Sequence, residues 1–88
     1  MRTAGPSPRE VRALGFTASG QGLSRRFERL GYSVQHCGHP TALWPWYGIR
    51  PDGSYILSPS GRAFRLLRDA LEATAGEIGS DRRSERSA

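Results

Sequence analysis

The fold is decided by residues 32–57, YSVQHCGHPTALWPWYGIRPDGSYIL, which hold three strand patterns and the turn between the last two. Over residues 32–37, side chains alternate with the period of two that is typical of a half-buried strand. A second strand is predicted from about Leu43 to Ile49 and a third over residues 54–57. Strands this close in sequence predict an antiparallel sheet.

The turn before the third strand rests on Pro51, Asp52 and Gly53. Pro51 fixes its own φ, Asp52 can bond to nearby backbone, and Gly53 accepts the positive φ of a bulged hairpin. Pro45 cannot donate a ladder hydrogen bond, so the second strand is expected to be irregular there. If the alternation continues through this proline, both tryptophans face outward and Tyr47 faces the helix.

The C-terminal part of the chain predicts the main helix. Ser58 or Ser60 can cap its start, and Gly76 is expected to end it. A stripe at helical spacing runs along it, formed by Ala63, Phe64, Leu67, Ala70, Leu71 and Thr74. Residues 77–88 hold one large apolar side chain and are expected to be a disordered tail.

The N-terminal part predicts a short helix followed by a loop. Ser7 and Glu10 have the spacing of a capping box, so a helix is expected from Pro8 to Leu14, ended by Gly15. Residues 15–22 contain three glycines and small polar residues, which is the composition of a loop or linker.

A second short helix is predicted over residues 25–30, capped by Ser24 and ended by Gly31. Phe27 and Leu30 lie at helical spacing and would form its apolar stripe. Its other face would carry three arginines, Arg25, Arg26 and Arg29.

Together these elements predict an α+β fold, in which a small three-stranded antiparallel sheet packs against a C-terminal helix, with one or two short N-terminal helices. The expected organisation is a flexible or loosely packed segment over 1–22, an α+β domain over 23–76 and a disordered tail over 77–88. At 88 residues the chain has room for one domain with a small core.

The composition indicates a soluble, basic protein of a reducing compartment. All 13 basic residues are arginine against 8 acidic residues, for a formal charge of +5. Arginine favours phosphate, carboxylate and aromatic partners, although a GC-rich genome would also enrich it. The single cysteine cannot form an internal disulfide, and we find neither a signal-peptide pattern nor a membrane span. The expected location is the cytoplasm.

His36, Cys37 and His39 suggest metal binding or a cysteine nucleophile, and the alternative to both is a structural role. Neighbouring residues of a strand point to opposite faces, and the chain has no other Cys or His to complete a tetrahedral zinc site, although a site between subunits stays open. A Cys37 nucleophile would need a base, an orienting group and an oxyanion hole. The structural role is favoured, so we expect no enzyme activity, no metal and no cofactor.

The aromatic residues beside Arg50 are the best candidates for a binding surface. Tryptophan and arginine are enriched at the energetic centres of protein interfaces. We expect the anchors to be Trp44, Trp46, Tyr47 and Arg50, although at least one tryptophan is expected to serve as core filler.

The runs HCGHPTALWPWY at 36–47 and GRAFRLLRDA at 61–70, with the Asp52-Gly53 turn, resemble short uncharacterised proteins of phages and prophages of GC-rich proteobacteria. This resemblance carries no catalytic residues. It implies an accessory role in a mobile element, such as anti-defence inhibition of the anti-CRISPR type, in the cytoplasm of the host bacterium.

Two functions therefore compete. The first is a non-enzymatic binder that blocks a host protein or ribonucleoprotein complex. The alternative is a small β-sheet DNA-binding module, similar to AP2-type domains, in which Arg50, Arg25, Arg26 and Arg29 contact phosphates or base edges. AP2-type domains carry several arginines on their strands, whereas here only Arg50 is expected near the sheet, which weakens the DNA hypothesis.

Overall fold

The computed structural model describes residues 7–87, with side chains up to Ser80. It is an α+β structure in which a five-stranded antiparallel sheet packs against a C-terminal helix. The elements are α1 (Pro8–Ala13), β1 (Thr17–Ser19), a 3-10 turn (Gly22–Ser24), β2 (Arg26–Arg29), β3 (Tyr32–His36), β4 (Trp46–Ile49), β5 (Tyr55–Ile56) and α2 (Leu67–Ser87).

The sheet is a meander with the strand order β1-β2-β3-β4-β5, so each strand pairs with its neighbours in sequence. One row of paired residues crosses all five strands: Ala18, Phe27, Val34, Gly48 and Ile56. Phe27, Val34 and Ile56 are buried in the core. Paired residues lie on the same face of a sheet, so this row marks the face that α2 covers.

The core lies between this row and the inner side of α2. The helix buries residues at spacings of three and four, namely Leu67, Ala70, Leu71, Thr74 and Ile78. At the other end of the sheet, Val11 of α1 and the following Phe16 are buried in the same core. The α1 cap is the predicted capping box, with Ser7 Oγ accepting from Glu10 N at 3.2 Å.

The prediction of a second N-terminal helix over residues 25–30 was wrong. Residues 26–29 form β2, in which Phe27 is buried between exposed neighbours, as the period of two requires. Leu30 and Gly31 have φ values of +51° and +86° and form the two-residue turn into β3. Leu30 is 62% exposed and belongs to no apolar stripe.

The predicted loop over residues 15–22 also contains a strand. Thr17–Ser19 forms β1 and pairs with β2, so the sheet has five strands rather than three. The three residues of β1 are exposed, which explains why no apolar alternation marks the strand in the sequence.

Both predicted ends of α2 were wrong. Ser58 and Gly61 form a tight turn, with Gly61 N donating to Ser58 O at 2.9 Å, and the backbone of Phe64 then pairs with Trp46. The helix starts only at Leu67 and does not end at Gly76. Ile78 continues the buried stripe beyond Gly76, and residues that were expected to be disordered are helical as far as Ser87.

The central prediction is confirmed more closely. The strand predicted over residues 32–37 is β3, while β4 and β5 are shorter than predicted. The turn between them has the expected chemistry, since Gly53 has a φ of +91° and Asp52 Oδ1 accepts from Ser54 N at 2.9 Å.

Candidate functional site

Trp46 does not face outward as expected. It lies half-buried against the core, with its ring edge-on to Phe27 at 6.3 Å and to His36 at 4.9 Å between centroids. Its backbone exchanges two hydrogen bonds with Phe64, of 3.0 and 2.6 Å. Trp46 is thus the core filler that the composition led us to expect of one tryptophan.

Trp44, in contrast, is an exposed ring held by an arginine. Its side chain is 41% exposed, and the guanidinium carbon of Arg62 lies 4.6 Å from the ring centroid. Such a cation–π contact favours this orientation of both side chains, by about 0.5–1 kcal/mol at an exposed site. Arg62 was not predicted as a site residue, and its distance from Trp44 in sequence explains why.

The Trp46–Phe64 bridge brings together the two segments that surround this pair, residues 37–45 and 57–66. Cys37 N also donates to Pro45 O at 2.8 Å, which closes the base of the first segment. Among the described residues, seven large apolar side chains are exposed, and four of them belong to these two segments. We call the following set the tryptophan surface: Leu43, Trp44, Leu57, Arg62 and Leu66.

Tyr47 lies on the sheet face opposite to α2, since it alternates with Trp46 and Gly48 along β4. Its expected orientation towards the helix was therefore wrong. Its ring stands edge-on to Tyr55 at 5.4 Å. Tyr55 is 59% exposed, so this pair adds aromatic surface on the second face of the sheet.

Arg50 is engaged in contacts within the protein, although its side chain stays partly exposed. Its Nε and Nη2 atoms donate to the two carboxylate oxygens of Glu77 at 2.7 and 2.8 Å, and Nη1 donates to Tyr55 O at 2.7 Å and Ser54 Oγ at 3.2 Å. The hydrogen bond that Arg50 donates to the Glu77 carboxylate, together with the negative charge of Glu77, raises the pKa of the Arg50 guanidinium. These contacts join β4, β5 and α2, so Arg50 has a structural role.

The three arginines expected on one helix face are divided between the two faces of the sheet. Arg26 alternates with Phe27 and lies on the face opposite to α2. The guanidinium of Arg25 lies 5.0 Å from the centroid of the Phe27 ring. Arg29 Nη1 donates to Leu14 O at 2.9 Å and ties β2 to the end of α1.

The histidines next to Cys37 make local hydrogen bonds. His36 Nδ1 accepts from Gly38 N at 2.9 Å, and His39 Nδ1 lies 3.3 Å from Thr41 Oγ1. Cys37 is exposed. Within residues 7–80, whose side chains are described, three or more His, Cys, Asp or Glu residues nowhere form a group able to hold a metal ion.

None of the described helices has the length and apolarity needed to cross a membrane. Comparison of the chain with family models, with curated proteins and with solved structures gives no match.

Proposed function

We propose that this protein is a non-enzymatic binding module that docks its tryptophan surface on a larger protein. The observation that carries this proposal is the exposed ring of Trp44 held under the guanidinium of Arg62. Tryptophan and arginine supply most of the binding energy at many protein interfaces, because each combines a large contact area with a polar or charged group.

The surroundings of Trp44 have the composition of an interface. Leu43 is 66% exposed, and Leu57 and Leu66 are 44% and 48% exposed, so the two segments that carry Trp44 and Arg62 also present apolar area to solvent. Aromatic residues, arginine and apolar area together are typical of the centre of a protein-binding patch.

The patch is also held in place before a partner arrives. Arg62 stacks on Trp44, and the backbone pairing of Trp46 with Phe64 ties both segments to the sheet. Side chains already ordered in the free protein lose less entropy on binding, which favours affinity.

The identity of the target rests on the resemblance to short phage and prophage proteins. On that basis we propose a mobile-element accessory protein that blocks a host protein or ribonucleoprotein in the bacterial cytoplasm, as an anti-CRISPR inhibitor does. The DNA-binding alternative has less support, because Arg50 is bonded to Glu77 and Arg29 to Leu14 O.

Site-specific crosslinking tests the proposal. A photoreactive amino acid replaces Leu43 in one variant and Leu30 in a matched control, since both leucines are strongly exposed and they lie beyond opposite ends of β3. Each variant is expressed in a bacterium, irradiated and analysed by mass spectrometry with and without nuclease. We expect one defined protein to crosslink at position 43 and not at position 30, whatever the nuclease treatment.

Affinity for the captured protein then provides the quantitative test. Trp44→Ala is expected to weaken binding by about thirtyfold, equivalent to about 2 kcal/mol, with an unchanged thermal midpoint. Tyr55→Ala, which removes an exposed ring on the other face, is the matched control. Equal binding by wild type and Trp44→Ala would contradict the proposal, and capture that disappears with nuclease would favour the DNA-binding alternative.

A further inference from the structure

A groove lies between α1 and β1, at the end of the sheet opposite to the strands β4 and β5. It has a volume of about 300 Å³ and is lined by Pro8, Val11, Arg12, Thr17, Ala18 and Arg25. Pro8, Val11 and Ala18 give it an apolar floor, while two arginines supply its charged groups. Its size suits one or two side chains of an extended chain.

The backbone N–H and C=O groups of Ala18 point outward from the edge of the sheet beside this groove. The two-residue turn at Leu30–Gly31 makes Arg29 and Tyr32 a hydrogen-bonded pair, and bonded and non-bonded pairs alternate along antiparallel strands. The backbone N–H and C=O of Phe27 therefore bond to β3, and those of Arg26 and Glu28 bond to β1. In β1, Thr17 and Ser19 therefore bond to β2, whereas the N–H and C=O of Ala18 face away from the sheet.

The opposite edge of the sheet is short and in part already hydrogen-bonded. By the same alternation the carbonyl of Tyr55 in β5 points away from β4, and it accepts a hydrogen bond of 2.7 Å from Arg50 Nη1. The edge at β1 is thus the side on which the sheet can accept another strand.

The charges around the groove select the kind of strand that fits. Arg12 and Arg25 both line it, and none of its lining residues is acidic. Arg25 is held over the Phe27 ring at 5.0 Å, and Glu10 of α1 pairs with Arg68 at 3.1 Å instead of neutralising the groove. A second copy of the chain paired here through its own β1 would bring four arginines together, which is unfavourable.

We propose that β1 and its groove bind an extended acidic peptide by strand addition. Peptide backbone groups pair with Ala18, an apolar side chain occupies the floor beside Val11, and carboxylates meet Arg12 and Arg25. This site is separate from the tryptophan surface and does not depend on the function proposed for it.

Fluorescence anisotropy with two defined peptides tests the site. The probe is a labelled peptide of alternating aspartate and valine, about seven residues long, and the control replaces every aspartate with asparagine. We expect the acidic peptide to bind wild type at least about tenfold more tightly than the control. The double variant Arg12→Ala/Arg25→Ala should lose about tenfold or more in affinity for the acidic peptide, whereas Trp44→Ala should bind it as wild type does.

Backbone pairing is tested separately from charge. Ala18→Pro removes the outward N–H without changing any charge, and proline is tolerated at sheet edges, so this variant should lose the peptide while keeping its circular dichroism spectrum. Hydrogen exchange of the Ala18 amide in wild type gives a second measurement, independent of whether that variant folds. The acidic peptide should slow this exchange by about tenfold or more.

Four results would overturn the proposal. They are equal binding of the two peptides, unchanged binding by the double arginine variant, unchanged exchange of the Ala18 amide, and a dimer in solution that Ala18→Pro dissociates. The last result would assign the edge to a second copy of this chain.

Discussion

Gly48 and Thr74 meet across the interface between the sheet and α2 so closely that a Cβ atom at Gly48 would lie 2.7 Å from Thr74 Oγ1. The same atom would lie 3.0 Å from Ile56 Cβ. Carbon atoms do not approach oxygen or carbon this closely without displacing them. The missing side chain of Gly48 thus sets how near the helix comes to the sheet.

Gly48→Ala should therefore destabilise the protein, by about 1–3 kcal/mol, because the added methyl group overpacks a closed interface. Thermal and denaturant unfolding measure the loss. In the double variant Gly48→Ala/Thr74→Ala, removing Oγ1 relieves one of the two close contacts, so the two substitutions should not be additive. Full additivity would show that Thr74 is not the obstacle.

Thr74→Val should stabilise the protein by about 1 kcal/mol. Thr74 is fully buried, and its Oγ1 has no hydrogen-bond partner among the described residues. A buried hydroxyl without a partner has lost its hydrogen bonds to water and gained none in the protein, which costs stability. Valine fills the same space with a methyl group. Thr74→Ser keeps the hydroxyl and should give no such gain in urea unfolding.

Leu30→Asn should also stabilise the protein, by about 1 kcal/mol, because Leu30 has a φ of +51° and leucine strains this region of the backbone. Asparagine before glycine is the preferred pair for this turn. Leu23→Asn changes another exposed leucine without a positive φ, so its stability should remain within about 0.5 kcal/mol of wild type. Equal effects at both positions would remove the backbone explanation.

Arg50→Ala is expected to act on stability. It removes the bidentate pair with Glu77 and also the hydrogen bonds to Ser54 and Tyr55, so its thermal midpoint should fall further than that of Glu77→Gln, which removes only the pair. High salt should reduce the effect of Glu77→Gln, since the pair is partly exposed and salt screens it. If Arg50→Ala kept the thermal midpoint of wild type, the structural role of Arg50 would be contradicted and the binding role predicted from the sequence would be favoured.

Acid should weaken the turn at Asp52. Hydrogen bonds from the Ser54 hydroxyl and then from its backbone N–H lower the pKa of Asp52 from its ordinary value in the folded protein. Because the folded pKa is the lower one, this contribution is complete above the unfolded pKa and disappears as the pH falls through the folded pKa. The thermal midpoint of wild type should therefore exceed that of Asp52→Asn by a constant amount near neutral pH, and this difference should shrink as the pH falls below the ordinary pKa of aspartate. A difference that does not depend on pH would contradict this assignment.

The sequence predicts best where local chemistry fixes the backbone. The capping box at Ser7 and the turn at Asp52 depend on residues within three positions of each other, and both are present. β2 was missed because Phe27 and Leu30 also fit helical spacing. The feature that identifies the hairpin is the pair of positive φ values at Leu30 and Gly31, which the structure shows and the sequence does not. β1 was missed because an exposed edge strand carries no apolar alternation.

The candidate site was predicted only in part, because sequence patterns do not include partners distant in the chain. Trp44 is exposed as expected, but its stacking on Arg62 depends on the bridge between Trp46 and Phe64. The contact between Arg50 and Glu77 spans 27 positions, and it makes an expected binding anchor a link between the sheet and α2.

The strand order gives the chain a simple route for folding. Since every strand pairs with its neighbour in sequence, the sheet can grow one hairpin at a time without closing a long loop, and such local topologies fold fast for β structure. The row of core residues stays open to water, however, until α2 arrives. During synthesis the sheet therefore stays uncovered until α2 has been made, and a nascent chain without α2 exposes Phe27, Val34 and Ile56 to chaperones or to aggregation.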